Sequence, residues 1–426
     1  MKAPSRQGSN SLQIRHYNER VVLEITRRLG SASKADIARS ANLTPQAVAS
    51  IVDALYKAGY LLQAGKRHGQ IGQPSVLYAP NPERAFSIGL HIGRRALQAV
   101  LVDLAGQVLQ QVEHEYPYPL PGEVGRLALA TTSQLEGGLS ATQRSRLMGV
   151  GVSMPYFLGT WQAELGFADT IAAAWREFNF PDFMVRQTKH DIYFENDASA
   201  AATAQLLRGQ GSVERNFIYL YLGTIIGGGL VLGGNLETGP HGNSAAFNTF
   251  PVCASTLPGT PPPAEPFELL QNRASIYVLL RHLRRNGVEI DRVGELTGLG
   301  ERAQPWLAQW EQDCAAALAQ AVIGAISVVD VEAIIIDGIL PPPPVARIVT
   351  QVQAHLATLL PDGLIAPAIR QGGLGPDGPA IGAALLPFYV NFAPNNDILA
   401  NKFRAEAKPL LTGGSAHPWS RRNATP

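Results

Sequence analysis

The amino-acid sequence predicts an α/β protein, with a small N-terminal module of helices and a hairpin followed by a larger body of two α/β lobes. Three observations support this fold class. Apolar residues recur at helical spacing before residue 60 and are followed by a glycine-rich hairpin. Three consecutive strand-like stretches begin at Phe86, and strands then alternate with helices. A second set of strands opens at Asn216, which predicts two lobes with a cleft between them.

Composition limits the class of protein. The chain has 426 residues, of which 46% are hydrophobic, enough for two or three domains with sizeable cores. Its two cysteines, Cys253 and Cys314, are far apart, so their spacing indicates neither a disulfide framework nor a cysteine zinc site. The N-terminus is polar and no apolar run reaches the roughly 18 residues of a membrane span, so we expect a cytoplasmic protein without a membrane partner.

Charge is distributed unevenly along the chain, although the net charge is only +1. Residues 1–80 contain 11 Lys and Arg against 4 Asp and Glu, whereas the remainder contains 24 basic and 30 acidic residues. A basic module attached to an acidic body indicates a polyanion-binding function. A merely solvated basic face is the alternative.

Cap residues divide the basic module into three helices. The first runs from Leu12 and stops at Gly30. Ser33 is the predicted N-cap of the second helix, with Asp36 three residues later in a short-acid variant of the capping box. Ala41 and Asn42 then make a short turn before the third helix.

The third helix begins with Thr44 at the N-cap and Pro45 at its first position, and it buries an aliphatic stripe. The outer face of its first turns then carries Pro45, Gln46, Ala47 and Ser50. A helix-turn-helix presents these positions to base edges in the major groove, where Gln pairs bidentately with adenine. We therefore predict that these four residues and Thr44 contact DNA.

A basic hairpin follows the third helix. LLQAG and PSVLYAP are strand-like and bracket KRHGQIGQ, a tip that carries Lys66, Arg67 and His68. Its shape and charge are those of a wing that lies on the phosphate backbone. Residues 12–80 are therefore predicted to form a winged helix-turn-helix. A helical packing module and a protein-binding winged helix are the alternatives.

The other boundaries follow from composition and periodicity. Residues 1–11 are predicted to be a flexible N-terminus, 81–85 a polar linker, and 404–426 a flexible tail. The body covers 86–403, with a first lobe of about 86–205 plus 380–400 and a second lobe of about 206–379.

Two motifs in the body are candidates for a ligand site. In YLGTIIGGGLVLGG, residues 221–234, glycines between two strands either let backbone amides approach a phosphate or make a tight hairpin with a bulge. In FENDASAAATA, Asn196 and Asp197 end a strand and begin a helix, where Asp197 is either the N-cap or a base that faces the cleft.

Together these stretches resemble the ROK family over nearly the whole chain, from about Gly8 to Phe392. ENDASAAA is similar to the family's ENDANAAA, LGTIIGGG to its LGTGIGGG, and SKADIARSANLTPQAVASIVDALYKAGYL to the reader domain of its repressors. IIIDGIL and GPAIGAALLPF are weaker likenesses to its adenosine-side elements. The resemblance implies a two-lobed actin-like ATPase (ribonuclease H-like) body, which the repressors share with sugar kinases that lack the reader.

The sequence departs from the family's kinase pattern in the first strand turn. The family's kinases have DxGGT there, with an Asp that helps to hold the magnesium nucleotide, whereas this chain has HIGRR, residues 91–95. Phosphoryl transfer needs a metal and positioned phosphates as well as a base, so Asp197 is at most a vestigial catalytic residue. We expect neither kinase activity nor bound ATP.

The family's zinc and sugar positions are altered as well. The resemblance places Ala246 at the sugar-binding Glu and Thr249 at the zinc-binding His, and CASTLPGTPPPAEP replaces the cysteine motif. We therefore expect neither zinc nor another metal. The residues predicted to bind a small-molecule effector, a sugar or a derivative, are Asn196, Asp197, Gly223, Thr224 and His241.

The sequence thus predicts a transcription regulator, a repressor of carbohydrate-related genes. Its predicted partners are a palindromic double-stranded DNA operator and the effector, and operator symmetry implies a homodimer or a dimer of dimers. The enzyme alternative is a sugar kinase with an atypical nucleotide site. A protein-binding pseudo-enzyme with no role at DNA is the third alternative.

Overall fold

The structure is a computed structural model that describes residues 11–67, 74–155, 158, 168–209, 214–298 and 300–394. The chain forms two compact units. The first contains the described residues of Met1–Val152, Glu177–Phe194 and Ala383–Pro426, and the second those of Ser153–Arg176 and Glu195–Gly382. His68 with the rest of the predicted wing tip, residues 1–10 and the predicted tail 404–426 lie outside the described residues.

The N-terminal part of the first unit consists of three helices and a small antiparallel sheet. Its elements are α1 (Ser11–Arg28), β1 (Ala32–Ser33), α2 (Lys34–Ala41), α3 (Pro45–Lys57), β2 (Leu61–Arg67) and β3 (Ser75–Pro80). β3 lies between β1 and β2. β2 extends to Arg67, so Lys66 and Arg67 belong to a strand, whereas the sequence suggested that they lie in the hairpin tip.

The predicted caps determine where α2 and α3 begin. Asp36 N donates to Ser33 Oγ at 3.2 Å and Ser33 N donates to Asp36 Oδ2 at 3.2 Å, which makes the capping box. Thr44 Oγ1 accepts from Ala47 N at 3.2 Å. Asn42, left-handed with a φ of 52°, turns the chain between the two helices. These contacts confirm both predicted N-caps and the short turn.

The rest of the first unit is built around a five-stranded sheet. From Phe86 to Glu195 the elements are β4 (Phe86–Ile92), β5 (Ala96–Asp103), β6 (Val108–Glu115), α4 (Pro121–Gly137), α5 (Ala141–Arg144), β7 (Leu147–Ser153), α6 (Asp169–Glu177), α7 (Phe180–Gln187) and β8 (Ile192–Glu195). Nearly all of α6 belongs to the second unit. The sheet order is β6-β5-β4-β7-β8, and β4, β5 and β6 form the predicted antiparallel meander.

The second unit contains a sheet of the same relative order. The remaining elements are α8 (Asp197–Arg208), β9 (Phe217–Leu222), β10 (Gly227–Leu232), β11 (Asn235–Glu237), β12 (Pro251–Val252), β13 (Glu268–Leu269), α9 (Gln271–Ala274), α10 (Ile276–Arg285), α11 (Gln304–Ile326), β14 (Ala333–Gly338), α12 (Pro342–Leu359), β15 (Ala368–Gln371) and α13 (Gly378–Phe392). The order is β11-β10-β9-β14-β15, with β14 parallel to both of its neighbours. Most of α13, from Ala383 onward, belongs to the first unit.

The core of the second unit includes α11, α12 and the strands β9 and β14. Trp310, Cys314 and Leu318 are fully buried at successive turns of α11. The two mixed sheets with their helices confirm the predicted α/β class. The domain boundaries inferred from the sequence stay predictions.

Candidate nucleic-acid interface and effector site

The N-terminal end of α3 presents a polar face to solvent. Thr44, Pro45, Gln46 and Ser50 are exposed, and Ala47 is half-buried. They face outward because the opposite side of α3 packs inward through Val48, Ile51, Val52 and Leu55. The structure therefore brings the five residues that the sequence singled out together at one end of one helix.

The basic residues of the hairpin lie at the end of β2 and meet the start of α2. Lys66 and Arg67 are exposed, and Arg67 Nη1 is 3.0 Å from Asp36 Oδ2. Arg39 Nη1 lies 3.6 Å from Asp36 Oδ1. Hydrogen bonds from Ser33, with smaller contributions from Arg67 and Arg39, lower the pKa of Asp36, so this carboxylate is charged at neutral pH.

A second ion pair attaches α2 to α3. Lys34 Nζ is 2.6 Å from Asp53 Oδ1 and 5.7 Å from the centre of the Tyr78 ring in β3. The start of α2 is thus joined to α3, β2 and β3. The sequence reasoning missed these three ion pairs, and the three-residue spacing of Asp36 and Arg39 was the signal that would have found one of them.

Asn196 and Asp197 lie where β8 ends and α8 begins. Asn196 is the N-cap, since its Oδ1 accepts from Ala198 N at 3.1 Å, and Asp197 is the first helical residue. The N-cap alternative for Asp197 is therefore wrong, because Asn196 holds the extended conformation that a cap requires. Asp197 Oδ1 also accepts from Ala198 N, at 2.9 Å, which places a half-buried carboxylate at the positive end of the helix.

The loop that carries Gly223 and Thr224 is fastened to the start of α10. The first two amides of α10 donate to Gly223 O at 3.1 Å and to Thr224 O at 3.2 Å. The amide of Ile226 donates to Ser275 Oγ at 3.0 Å. The loop carbonyls thus satisfy helix amides that would otherwise lack partners.

The glycines of β10 allow close packing on both faces of the strand. A Cβ at Gly227 would lie 2.6 Å from Ala198 Cβ, and one at Gly229 would lie 2.4 Å from Ala202 Cβ, so α8 approaches the strand directly. A Cβ at Gly228 would meet Phe247 on the other face at 2.5 Å. β9 and β10 pair in continuous register, so the motif forms a hairpin but without the predicted bulge, and phosphate binding at its loop stays a prediction.

Carboxylates surround two buried tyrosines at the carboxyl end of β9. Tyr219 OH donates to Asp337 Oδ2 at 3.1 Å. Burial, followed by the negative charges of Asp197, Asp337 and Asp377, raises the pKa of Tyr221 well above its ordinary value, so the hydroxyl keeps its proton. β9 and β14 are parallel and end here, and ligands of α/β sheets bind at such edges. The sequence reasoning missed both tyrosines and Asp337.

His241 is exposed in the loop that follows β11. Among the described residues, no hydrogen bond or ion pair joins His241 to Asn196, Asp197, Gly223 or Thr224. The contacts of the structure therefore attach Asn196 and Asp197 to the start of α8, and Gly223 and Thr224 to the start of α10, while His241 as an effector residue stays a prediction.

The positions that correspond to the family's zinc ligands do not suit a metal ion. Cys253 N donates to Gln320 Oε1 at 2.8 Å, and Arg273 Nη1 donates to Cys253 O at 3.0 Å. Thr249 Oγ1 donates to Ala246 O at 3.0 Å. Within the described ranges, no three His, Cys, Asp or Glu side chains are grouped so that they would hold a metal. A single cysteine, whose carbonyl oxygen accepts from a guanidinium group, is not a zinc donor set.

The turn between β4 and β5, which carries HIGRR, is closed by its own hydrogen bonds. Gly93 N donates to Ala96 O at 2.9 Å. Tyr116 OH lies 2.6 Å from Gly93 O and 2.9 Å from Ala96 O, so it clamps both ends of the turn. Burial raises the pKa of Tyr116 far above its ordinary value, which keeps the hydroxyl protonated. Arg95 is exposed at the tip.

Comparisons of sequence connect this chain to regulators and to kinases. Residues 87–388 match the sequence profile of the ROK family. A xylose repressor from Bacillus spizizenii is 22% identical over 231 residues, which cover 54% of this chain and 59% of the repressor. A glucokinase from Halalkalibacterium halodurans is 29% identical over 161 residues, which cover 36% of this chain and 46% of the glucokinase. The chain thus spans about half the length of these curated relatives.

Solved structures establish the type of fold. A ROK family transcriptional regulator, a homolog of the E. coli MLC protein, has a TM-score of 0.63 at 17% identity and covers 91% of this chain and 100% of its own. A ROK hexokinase from Thermus thermophilus has a TM-score of 0.53 at 22% identity and covers 72% of this chain and 98% of its own. The body of the protein therefore has the actin-like ATPase type of fold. In the described part of the chain, every helix is too short or too polar to cross a membrane.

Proposed function

This chain belongs to the ROK family, and we propose that it is a DNA-binding transcription regulator, a repressor of carbohydrate-related genes. In this proposal residues 12–80 form a winged helix-turn-helix, and the body senses a small carbohydrate-like effector. The regulator acts as a homodimer or a dimer of dimers on a palindromic operator, because a symmetric operator is read by symmetric pairs of helices.

The exposed N-terminal end of α3 is the observation that carries this proposal. Gln46 and Ser50 are exposed there, directly after a capped turn, in the segment of the chain with the strongest positive charge. A helix-turn-helix inserts this end of its second helix into the major groove. The antiparallel β2 and β3 then supply the wing, with Lys66 and Arg67 for the phosphate backbone. The repressors and regulators among the relatives support the same assignment.

The effector is proposed to bind in the second unit, beside Asn196 and Asp197. The half-buried Asp197 carboxylate accepts hydrogen bonds and the buried Tyr221 hydroxyl donates them, which suits a ligand rich in hydroxyl groups. Gly223 and Thr224 contribute the loop fastened to α10. Xylose repressors are among the relatives, so D-xylose is the first sugar to test.

A sugar kinase is the second candidate, and the glucokinase relative together with Asp197 at the start of α8 favours it. The turn at Gly93 argues against kinase activity. Its amide is used within the turn and two arginines follow it, so the backbone is not arranged to receive a phosphate as a glycine-rich turn would be. We therefore propose that kinase activity is absent, with no bound ATP and no zinc.

Selection of genomic fragments by the purified protein, at moderate and then at higher salt, tests the regulator assignment. We expect the protein to select a discrete palindromic site and to stay bound to it at higher salt. Added salt weakens contacts with phosphates, whereas contacts with base edges depend much less on salt. Gln46→Ala should weaken binding to that site and relax its sequence preference by about 1–3 kcal/mol at one position. Gln107→Ala, an exposed glutamine in the body, is the matched control and should change nothing. Binding that ignores sequence and vanishes as salt rises would contradict the proposal.

Measurements with a panel of sugars then distinguish the regulator from the kinase alternative. D-xylose or another sugar should change the affinity for the selected site, and Asp197→Asn should reduce that response while leaving DNA binding without sugar intact. Sugar-dependent consumption of ATP that Asp197→Asn abolishes would instead establish the kinase alternative. If the purified protein binds neither DNA nor nucleotide, that result would support the third alternative, a protein-binding pseudo-enzyme.

A further inference from the structure

We infer that Arg39 and Arg67, both held by Asp36, form a contact site for a backbone phosphate of duplex DNA. The inference rests on the proposed DNA-binding function and deepens it, since Arg39 lies outside the set predicted from the sequence and Asp36 acquires the role of a positioning residue. The site joins the start of α2 to the end of β2.

The geometry places two guanidinium groups on one carboxylate. Arg67 Nη1 is 3.0 Å from Asp36 Oδ2, and Arg39 Nη1 is 3.6 Å from Asp36 Oδ1. Asp36 is itself fixed, because Ser33 Oγ donates to its Oδ2 at 2.8 Å and Ser33 N donates at 3.2 Å. A carboxylate held by the capping box therefore sets the position of both arginines.

The charge balance of this cluster favours an anion from outside the protein. Two arginines share one carboxylate, so the cluster carries one excess positive charge. The side chains of Arg39 and Arg67 are 79% and 57% exposed. Each guanidinium group has five N–H donors, and only one of its amino groups lies against Asp36, so donors remain for a second anion. An exposed ion pair contributes little to stability, so folding alone does not explain a second arginine. A phosphate oxygen accepts such paired donors well.

The position of the cluster fits the phosphate backbone of DNA rather than a small anion. In a winged helix-turn-helix the first helix of the pair crosses the backbone and the wing lies along it. Arg39 lies on that first helix, α2, and Arg67 lies on the first strand of the wing, β2. One cluster therefore joins the two elements that would contact the phosphate backbone beside α3.

The Lys34–Asp53 pair provides an internal comparison. It lies in the same module, between α2 and α3, and its atoms are 2.6 Å apart, but it combines one cation with one anion. It therefore has no excess charge to offer a phosphate. Asp53→Asn removes the same charge as Asp36→Asn without touching either arginine.

Salt-dependent binding to a fluorescent 30-base-pair duplex of mixed sequence tests the inference without knowledge of the operator. Phosphate contacts are independent of sequence, and each one adds about 0.9 to the slope of log affinity against log salt. Because both arginines contact one phosphate, Arg39→Ala and Arg67→Ala should each lower that slope by up to about 0.9. Arg186→Ala, which removes an exposed arginine from an Asp182 pair on α7, is the control and should keep the wild-type slope.

The two aspartate variants separate positioning from charge. Asp36→Asn should weaken binding roughly two- to fivefold, the range of an exposed ion pair, although it makes the module more positive. Asp53→Asn should bind as tightly as wild type or more tightly. Thermal unfolding of each variant shows that the module is folded, and asparagine retains an oxygen that accepts from Ser33.

Three results would overturn these statements at different levels. Wild-type slopes for both Arg39→Ala and Arg67→Ala would refute the phosphate site while leaving the regulator proposal intact. Asp36→Asn binding that is unchanged or tighter would refute the positioning role. A wild-type protein with no salt-dependent affinity for the duplex would refute the DNA-binding function itself.

Discussion

Replacing Gly229 with alanine tests whether the glycine run of β10 serves helix packing. The new Cβ would lie 2.4 Å from Ala202 Cβ, more than about 1 Å inside the optimal separation of two carbon atoms. Ala202 is fully buried in α8, so relief requires the helix to shift against the strand. Overpacking of this kind costs about 1–3 kcal/mol, and we expect a loss of about 2 kcal/mol in the stability of this part of the second unit.

Moving the methyl group, rather than adding one, gives the decisive comparison. Ala202→Gly combined with Gly229→Ala removes the clash, at the cost of about 1 kcal/mol for a glycine inside a helix. The double variant should therefore recover about half of the loss. Gly137→Ala adds the same methyl group at the end of α4 with nothing within 4 Å, and it should be neutral or stabilise by up to about 1 kcal/mol.

Amide hydrogen exchange of peptides from β9, β10 and α8 measures this effect. It reports opening of one part of the molecule and does not assume a single unfolding transition for a chain of 426 residues. Wild-type protection in Gly229→Ala, or a double variant that exchanges faster than the single one, would refute the packing explanation.

Three further predictions concern buried polar contacts. Arg273→Met removes the guanidinium group that lies 2.8 Å from the buried Asp313 carboxylate, so it should lower the stability of this unit by about 3–5 kcal/mol. Amide hydrogen exchange in α11 should then be faster, and unchanged exchange would argue against this prediction. Burial raises the pKa of Asp313, but hydrogen bonds from Arg273 and Thr256 outweigh it and lower that pKa. This contact therefore stabilises the fold fully above about pH 4 and is lost as pH falls through the folded-state pKa, so Asp313→Asn should show a shallower loss in acid unfolding. Tyr116→Phe removes the hydroxyl that clamps the turn after β4 and should cost about 1 kcal/mol there, again read by exchange.

Local interactions made much of the fold predictable from the sequence. Ser33 with Asp36, and Thr44 with Ala47, are three residues apart, so the chemistry of both caps can be read directly from the chain. The β4–β6 meander was predicted for a related reason, since strands that are neighbours in the chain pair in the sheet, and the β9–β10 hairpin was one of the two alternatives for its motif.

Contacts between distant residues were not predictable in the same way. Arg67 meets Asp36 across 31 residues, which depends on the direction in which β2 leaves α3. Asn196 and Asp197 are both good cap residues, and only the extended backbone of Asn196 decides between them. The glycines of β10 predicted phosphate binding or a hairpin, and nothing in the sequence indicated that α8 packs directly on them.

Asp337 shows how far the local chemistry of a motif depends on residues that are distant in the sequence. Its carboxylate is buried at the end of β14 and accepts from Tyr219 OH, from its neighbour's amide and from two amides of the loop after β15, at 2.9 to 3.1 Å. A Cβ at Gly372 would lie 2.3 Å from Asp337 Oδ2, so the acid and the glycine fit only as a pair. IIIDGIL resembles an adenosine-side element, and here the loop amides donate to the side chain of Asp337. This arrangement depends on two residues, Asp337 and Gly372, whose proximity only the folded chain reveals.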